Sequence, residues 1–143
     1  IVNEGSIVFY DEKIGLRGMM DVNGEILHEA KYAHIHCYND GLAAFLADGL
    51  WGFYDIHGNI AIPPSFIEVN TFQPELTRHP FNEGLANVKM PNGFWNYINT
   101  KGDVVIQGDY VLAKQFENGK AEVFSKTKSF VIDKTGKCIE NCD

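Results

Sequence analysis

Phe81-Asn82-Glu83-Gly84-Leu85-Ala86-Asn87-Val88 is the stretch on which the reading of this chain turns, because its opening recurs. A hydrophobic residue stands three places before a glycine in Val2-Asn3-Glu4-Gly5, Tyr38-Asn39-Asp40-Gly41, Phe81-Asn82-Glu83-Gly84 and Phe116-Glu117-Asn118-Gly119, and these glycines step by 36, 43 and 35 residues. A period of this length marks a repeat architecture. One unit of roughly 35 residues cannot bury its own apolar face and must be stabilised by its neighbours.

The rest of each unit follows outward from that glycine. An alternating pair comes next: Ile7 and Phe9, Ala43 and Phe45, Ala86 and Val88, Ala121 and Val123. Apolar residues spaced by two predict a strand with one buried face, and the small alanines predict close approach by a neighbouring segment. Asp48-Gly49 and Asn92-Gly93 are dipeptides that supply the positive φ of a tight hairpin. A second strand reads Met19-Met20, Phe53-Tyr54, Tyr97-Ile98 and Val131-Ile132. It ends in Asp21-Val22-Asn23-Gly24, Asp55-Ile56-His57-Gly58, Asn99-Thr100-Lys101-Gly102 or Asp133-Lys134-Thr135-Gly136. In this element the Asp or Asn side chain accepts backbone amides ahead of it, and the glycine closes a type I turn. A third strand leaves it at Ile26-Leu27, Ile60-Ala61-Ile62 and Val104-Val105-Ile106, and Pro63-Pro64 is expected to end the second of these. A short link then carries an aromatic eight residues past the turn glycine, Tyr32, Phe66 or Tyr110.

The expectation is an all-β fold of tandem three-stranded antiparallel β-meander repeats stacked into a curved or superhelical array. It forms a single domain over 1–143, with repeats at approximately 1–37, 38–80, 81–115 and 116–143. Trp51, Phe53, Tyr54, Trp95 and Tyr97 lie at unit centres and should be mostly core. End units of such arrays need caps, and the fourth copy shows none in its sequence.

Composition sets the function classes. The chain is 45% hydrophobic and 22% charged, so it should bury a core. Its net charge of −7 argues against nucleic acid and against an anionic membrane surface, and suits a basic protein partner. No apolar run approaches the ~20 residues of a membrane span. The chain begins at Ile1 without a signal-peptide pattern, which reads as a processed or excised segment. Charge is uneven: residues 114–143 hold 6 Lys or Arg against 5 Asp or Glu, whereas residues 1–113 hold 6 against 14.

Copy two reads Gly41-Leu42-Ala43, then Trp51-Gly52-Phe53-Tyr54-Asp55, Gly58 and Ile62-Pro63-Pro64-Ser65-Phe66. Copy three reads Phe81 to Val88, then Trp95-Asn96-Tyr97-Ile98-Asn99 and Gly102. This resembles the bacterial WG-repeat family, also called KWG, over nearly the whole chain. The Trp-Gly pair survives only as Trp51-Gly52; its counterparts are Arg17-Gly18, Trp95-Asn96 and Ser129-Phe130. The resemblance implies a β-rich interaction module without enzymatic activity, with no catalytic residues or cofactor to carry over. Some members are envelope or secreted proteins and some lie near toxin systems.

Several residues invite chemistry. His34-Ile35-His36-Cys37 holds metal-ligand types, but His34 aligns with Glu68 and Leu112, and His36 with Asn70 and Lys114, so the repeat requires no ligands there. Solvent-facing strand residues are expected, with Cys37 pointing to the other face. Cys138 and Cys142 are read as ordinary free thiols, and their pairing, or an arrangement with Cys37, stays open. With three scattered cysteines a reducing, cytoplasmic setting is favoured over an envelope or secreted one. Asp55 and His57 resemble an acid–base dyad, yet Asp55 is the shared turn residue and His57 aligns with Asn23, Lys101 and Thr135.

Copy two is longer than its neighbours, with the excess in Asn70–Pro80. Insertions in repeats map to loops, and loops on a rigid scaffold carry recognition. Phe72, Leu76, Arg78 and His79 are therefore the candidate partner-binding residues. The leading reading is a non-enzymatic binding module for a protein partner. The alternatives are an immunity protein neutralising a cognate toxin and an envelope or glycan-binding module.

Overall fold

The structure is a computed structural model that describes residues 5–70 and 79–143. The first unit is a meander of β1 (Ile7–Asp11), β2 (Leu16–Met20) and β3 (Ile26–Tyr32). The second contains β4 (Ala43–Ala47), β5 (Leu50–Tyr54) and β6 (Ile60–Phe66), followed by the two-residue link strand β7 (Glu68–Val69). The third has β8 (Phe81–Asn82), β9 (Leu85–Lys89), β10 (Trp95–Asn99) and β11 (Val104–Tyr110), then the link strand β12 (Leu112–Ala113). The fourth has β13 (Lys120–Phe124), β14 (Ser129–Asp133) and β15 (Cys138–Glu140). These make four small antiparallel sheets, none closed into a barrel among the described residues. The fold is all-β and built from the expected three-stranded meanders.

The Asp/Asn-x-x-Gly element is the same device in every unit. Asp55 Oδ1 accepts the backbone N–H of His57 at 2.9 Å and of Asn59 at 3.0 Å, and Gly58 N–H donates to Asp55 O at 3.0 Å. Asp21, Asn99 and Asp133 repeat the pattern. The hairpins differ. Asp48 and Gly49 both have positive φ, 51° and 82°, as a two-residue turn demands, whereas in the third unit only Gly93 does. There the turn is widened: Met90 and Phe94 flank it, and Asn92 Oδ1 accepts the Phe94 N–H instead of lending its own backbone to the turn.

Pro63-Pro64 does not end a strand. β6 runs on to Phe66, with Phe53 opposite Ile62 and Trp51 opposite Phe66, so the prolines fall in a bulge on an edge strand where no ladder bond is needed from them. Tyr32, Phe66 and Tyr110 consequently end third strands rather than riding on links, and all three are buried. The bulge explains the Trp-Gly motif. A Cβ on Gly52 would stand 2.7 Å from Ile62 O and from Pro64 N, and one on Gly18 would stand 2.6 Å from His28 O. Where the third unit has Asn96, the bulge opens through Gly108 and Asp109 (φ 48°), and Asn96 Oδ1 accepts the Asp109 N–H at 2.9 Å.

Each of the two inner sheets contributes residues to a core on either side of it. Leu42, Ala44, Trp51, Phe53 and Ile62 of the second unit pack against Val69, Phe81, Ala86, Val88 and Ile98. Leu85, Trp95, Tyr97, Ile106 and Tyr110 of the third pack against Ala113, Phe116, Ala121, Val123 and Ile132. Phe81 meets Phe53 edge-on at 4.9 Å, and Phe116 meets Tyr97 in the same way at 4.8 Å. The unit-opening turns interlock as well. Asn39 Nδ2 donates to Phe81 O and Asn82 Nδ2 to Phe116 O, each at 2.7 Å. Gly84 N–H donates to Asp40 Oδ2, and Asn118 and Gly119 donate to the Glu83 carboxylate.

The fourth unit has a more polar outer face than the units before it. Its outer face carries Lys120, Glu122, Ser129, Val131 and Glu140 where the third unit has Leu85, Asn87, Trp95, Tyr97 and Ile106. Lys114 pairs with Glu122 at 3.0 Å and Lys120 with Glu140 at 3.1 Å. Cys138 and Cys142 form a disulfide, correcting the free-thiol expectation. It ties the short β15 where the other units use a buried aromatic.

Candidate functional site

The link between the first two units determines the site. Ile35 is buried and bridges antiparallel to Phe45, with His36 N–H donating to Ala44 O at 2.8 Å and Leu46 N–H to His34 O at 3.2 Å. With Ile35 turned into the core, His34 and His36 are directed together to the other side. Both come over the Trp51 ring, His36 at 4.6 Å between centroids and His34 at 6.2 Å. His36 is buried and His34 half-buried, so neither is the solvent-facing strand residue that the sequence predicts. Cys37 is also buried, and burial raises its thiol pKa.

The next link completes a cleft of about 360 Å³ lined by His34, His36, Leu46, Gly49, Trp51, Ile67, Glu68 and Val69. Its floor is apolar and aromatic, and its rim carries imidazole and the Glu68 carboxylate, which is bonded to Lys89 at 3.1 Å. Such a lining suits an apolar or cationic side chain. The insertion begins beside this cleft. Asn70, next to the lining residue Val69, is fully buried and accepts a hydrogen bond from Asn87. The returning end is pinned where Gln115 Nε2 donates to the carbonyls of His79, at 2.6 Å, and Pro80. Of the candidate residues, Phe72, Leu76 and Arg78 lie outside the described residues; His79 stands half-buried at the pinned stem.

Among the described residues no group of three His, Cys, Asp or Glu is placed to hold a metal ion. Asp55 Oδ1 is occupied by turn amides, including the backbone N–H of His57, so the two are joined as a turn. His28 is structural: it stacks on Tyr54 at 4.9 Å and bonds the Tyr38 hydroxyl at 2.9 Å, and burial, then Lys31, lowers its pKa. A second cleft of about 370 Å³ lies on the charged outer face of the fourth unit, between Lys114, Glu117, Lys120 and Val131.

Sequence reading missed two things here. Trp51 is core and cleft floor at once, which the His-Ile-His pattern around a link residue signals. The interlock that Asn39 and Asp40 make with the third unit, and Asn82 and Glu83 with the fourth, was legible as an Asn-acid pair repeated in three copies and replaced by Glu117-Asn118 in the fourth.

These features define a tandem β-repeat protein whose units share cores, with no catalytic constellation among the described residues. The profile of the WG-containing repeat matches residues 18–51, 51–75 and 95–124, more than half of the chain, and the chain belongs to that family. No curated protein matches it.

Proposed function

We propose that the chain is a non-enzymatic recognition module for a protein of basic surface, held by the 71–79 insertion together with the adjoining cleft. The observation that carries this reading is the departure from the repeat. One glycine step is 43 residues against 36 and 35, and the additional residues follow the buried Asn70, which adjoins Val69 in the lining of the cleft that Trp51 shares. The acidic balance, −7 overall, adds electrostatic steering toward a basic partner and fits a toxin-neutralising immunity protein as a special case. A glycan-binding reading needs flat exposed aromatics; Trp51 and Trp95 are buried, and Tyr10, at 51%, is the exposed large aromatic among the described residues.

The test is capture from lysate of the source cells by the intact chain and by a variant in which residues 71–79 are replaced with a short Gly-Ser link. Capture of a defined protein by the intact chain, weakened by salt and lost with the variant, is the expected result. Equal capture by both chains removes the insertion from the proposal, and capture by neither removes the protein partner.

A further inference from the structure

Each internal boundary of the array is closed in one way. Ile35 lies antiparallel against Phe45, Val69 against Val88, and Ala113 against Val123. Each of these link residues is buried, and so is the strand residue it covers. Each therefore belongs by sequence to one unit and by hydrogen bonding to the next.

β1 has the same construction without the closing strand. Phe9 is the counterpart of Phe45, Val88 and Val123, and Ile7 the counterpart of Ala43, Ala86 and Ala121. Among the described residues β1 pairs with β2 alone, leaving the edge that carries the backbone of Val8 and Tyr10 without a strand. Ile7 is 39% exposed, whereas its three counterparts are 0–3% exposed, and Phe9 is only half-buried. The far end of the array is the opposite: paired charges of Lys114, Lys120, Glu122 and Glu140 cover the face.

We infer that β1 is an acceptor edge, shaped to take the link strand of one further repeat of this family. The occupant is an extended segment with one apolar residue over Phe9 and polar neighbours, continuing into a sheet that covers Ile7. The argument is continuity: the same contact is made three times inside the molecule, always by the segment immediately preceding the accepting strand. A second copy of this chain is a poor donor. Its link strands are engaged, and its charged outer face would have to desolvate Lys120, Glu122 and Glu140 against Ile7 and Phe9.

The test places a copy of residues 81–115 directly ahead of Val2 in the full chain, which brings the copied Ala113 into phase with Phe9. A control carries Ala113→Asp in the added copy. Two quantities are read: exchange of the Tyr10 amide, the counterpart of the Leu46 N–H bonded to His34 O, and the urea unfolding transition. The expected result is exchange slowed at least about tenfold, with one transition of larger m-value, and loss of the slowing in the control. Unchanged Tyr10 exchange, or separate unfolding of the added unit, overturns the inference. So does sedimentation of the unextended chain as a dimer with Tyr10 already protected, because the edge then pairs with a second copy.

Discussion

Gly52→Ala isolates the reason for the glycine in the Trp-Gly motif. Gly52 does not have positive φ, so alanine meets no backbone strain there and the whole cost is steric. The new methyl would stand 2.7 Å from Ile62 O and Pro64 N and 3.0 Å from Pro63 C. All three atoms are backbone, in a bulge stiffened by two prolines, so none can swing aside as a side-chain tip would. Overpacking of this kind costs about 1–3 kcal/mol, and the upper end, about 3 kcal/mol, applies here. For a chain of this size that is a fall in Tm of roughly 10 °C. The assay is paired thermal and urea unfolding of wild type, Gly52→Ala and a Gly5→Ala control, whose methyl meets only a side-chain carbon of Val22 at 3.4 Å. A rescue variant transfers the third unit's solution, Gly52→Asn with Pro63→Gln, Pro64→Gly and Ser65→Asp, and should return to within about 1 kcal/mol of wild type. The reasoning is refuted if Gly52→Ala costs less than about 0.5 kcal/mol, or if the rescue is no more stable than Gly52→Ala.

Three further outcomes are expected. Tyr97 is buried with its hydroxyl donating to Lys114 O at 2.6 Å, and burial raises its pKa; Tyr32, Tyr38 and Tyr110 are shifted in the same direction. The unfolded chain ionises first, so this stability is intact below about pH 10 and is lost as pH rises beyond it. Tyrosinate absorbance should appear together with unfolding, and Tyr97→Phe should flatten the alkaline slope while costing about 1–2 kcal/mol at neutral pH. Glu83→Ala removes the acceptor of two backbone amides across a unit boundary and should cost about 1–2 kcal/mol in urea unfolding, with Glu83→Gln intermediate. Reduction of Cys138–Cys142 should lower stability by no more than about 2 kcal/mol, because the closed loop is short, and thiol titration of the folded protein should count no fast-reacting group before reduction, since Cys37 is buried.

Much of the fold could be read in advance because it rests on local chemistry. The Asp/Asn-x-x-Gly turn needs only its own residues and the amides ahead of it, and it forms alike at Asp21, Asp55, Asn99 and Asp133. Errors arose where a distant segment decides. Proline at 63 and 64 argues against a strand only if a ladder bond is required there, and the bulge on an edge removes that requirement. The direction of His34 and His36 depends on Ile35 finding Phe45 in the following unit. The outer-face charges of the fourth unit look unremarkable along the chain and acquire meaning only beside Leu85, Trp95, Tyr97 and Ile106. The candidate residues of the insertion rest on loop chemistry alone, and the cleft beside Asn70 is hidden in the sequence because Trp51 reads as core.

The borrowed link strand sets a rule for where this chain can be cut and rejoined. A segment cut at the repeat boundary seen in the sequence, between Gln115 and Phe116 for example, carries the strand that closes the unit after it and lacks the strand that closes its own. One duplicated period inserted in phase supplies what its follower needs and receives what it needs itself, whatever its place in the row. Loss or gain of whole periods thus leaves every seam complete, while an excision out of phase strands one sheet without its edge. The charged outer face of the fourth unit is the one surface of this row that a following sheet could cover only by desolvating Lys120, Glu122 and Glu140.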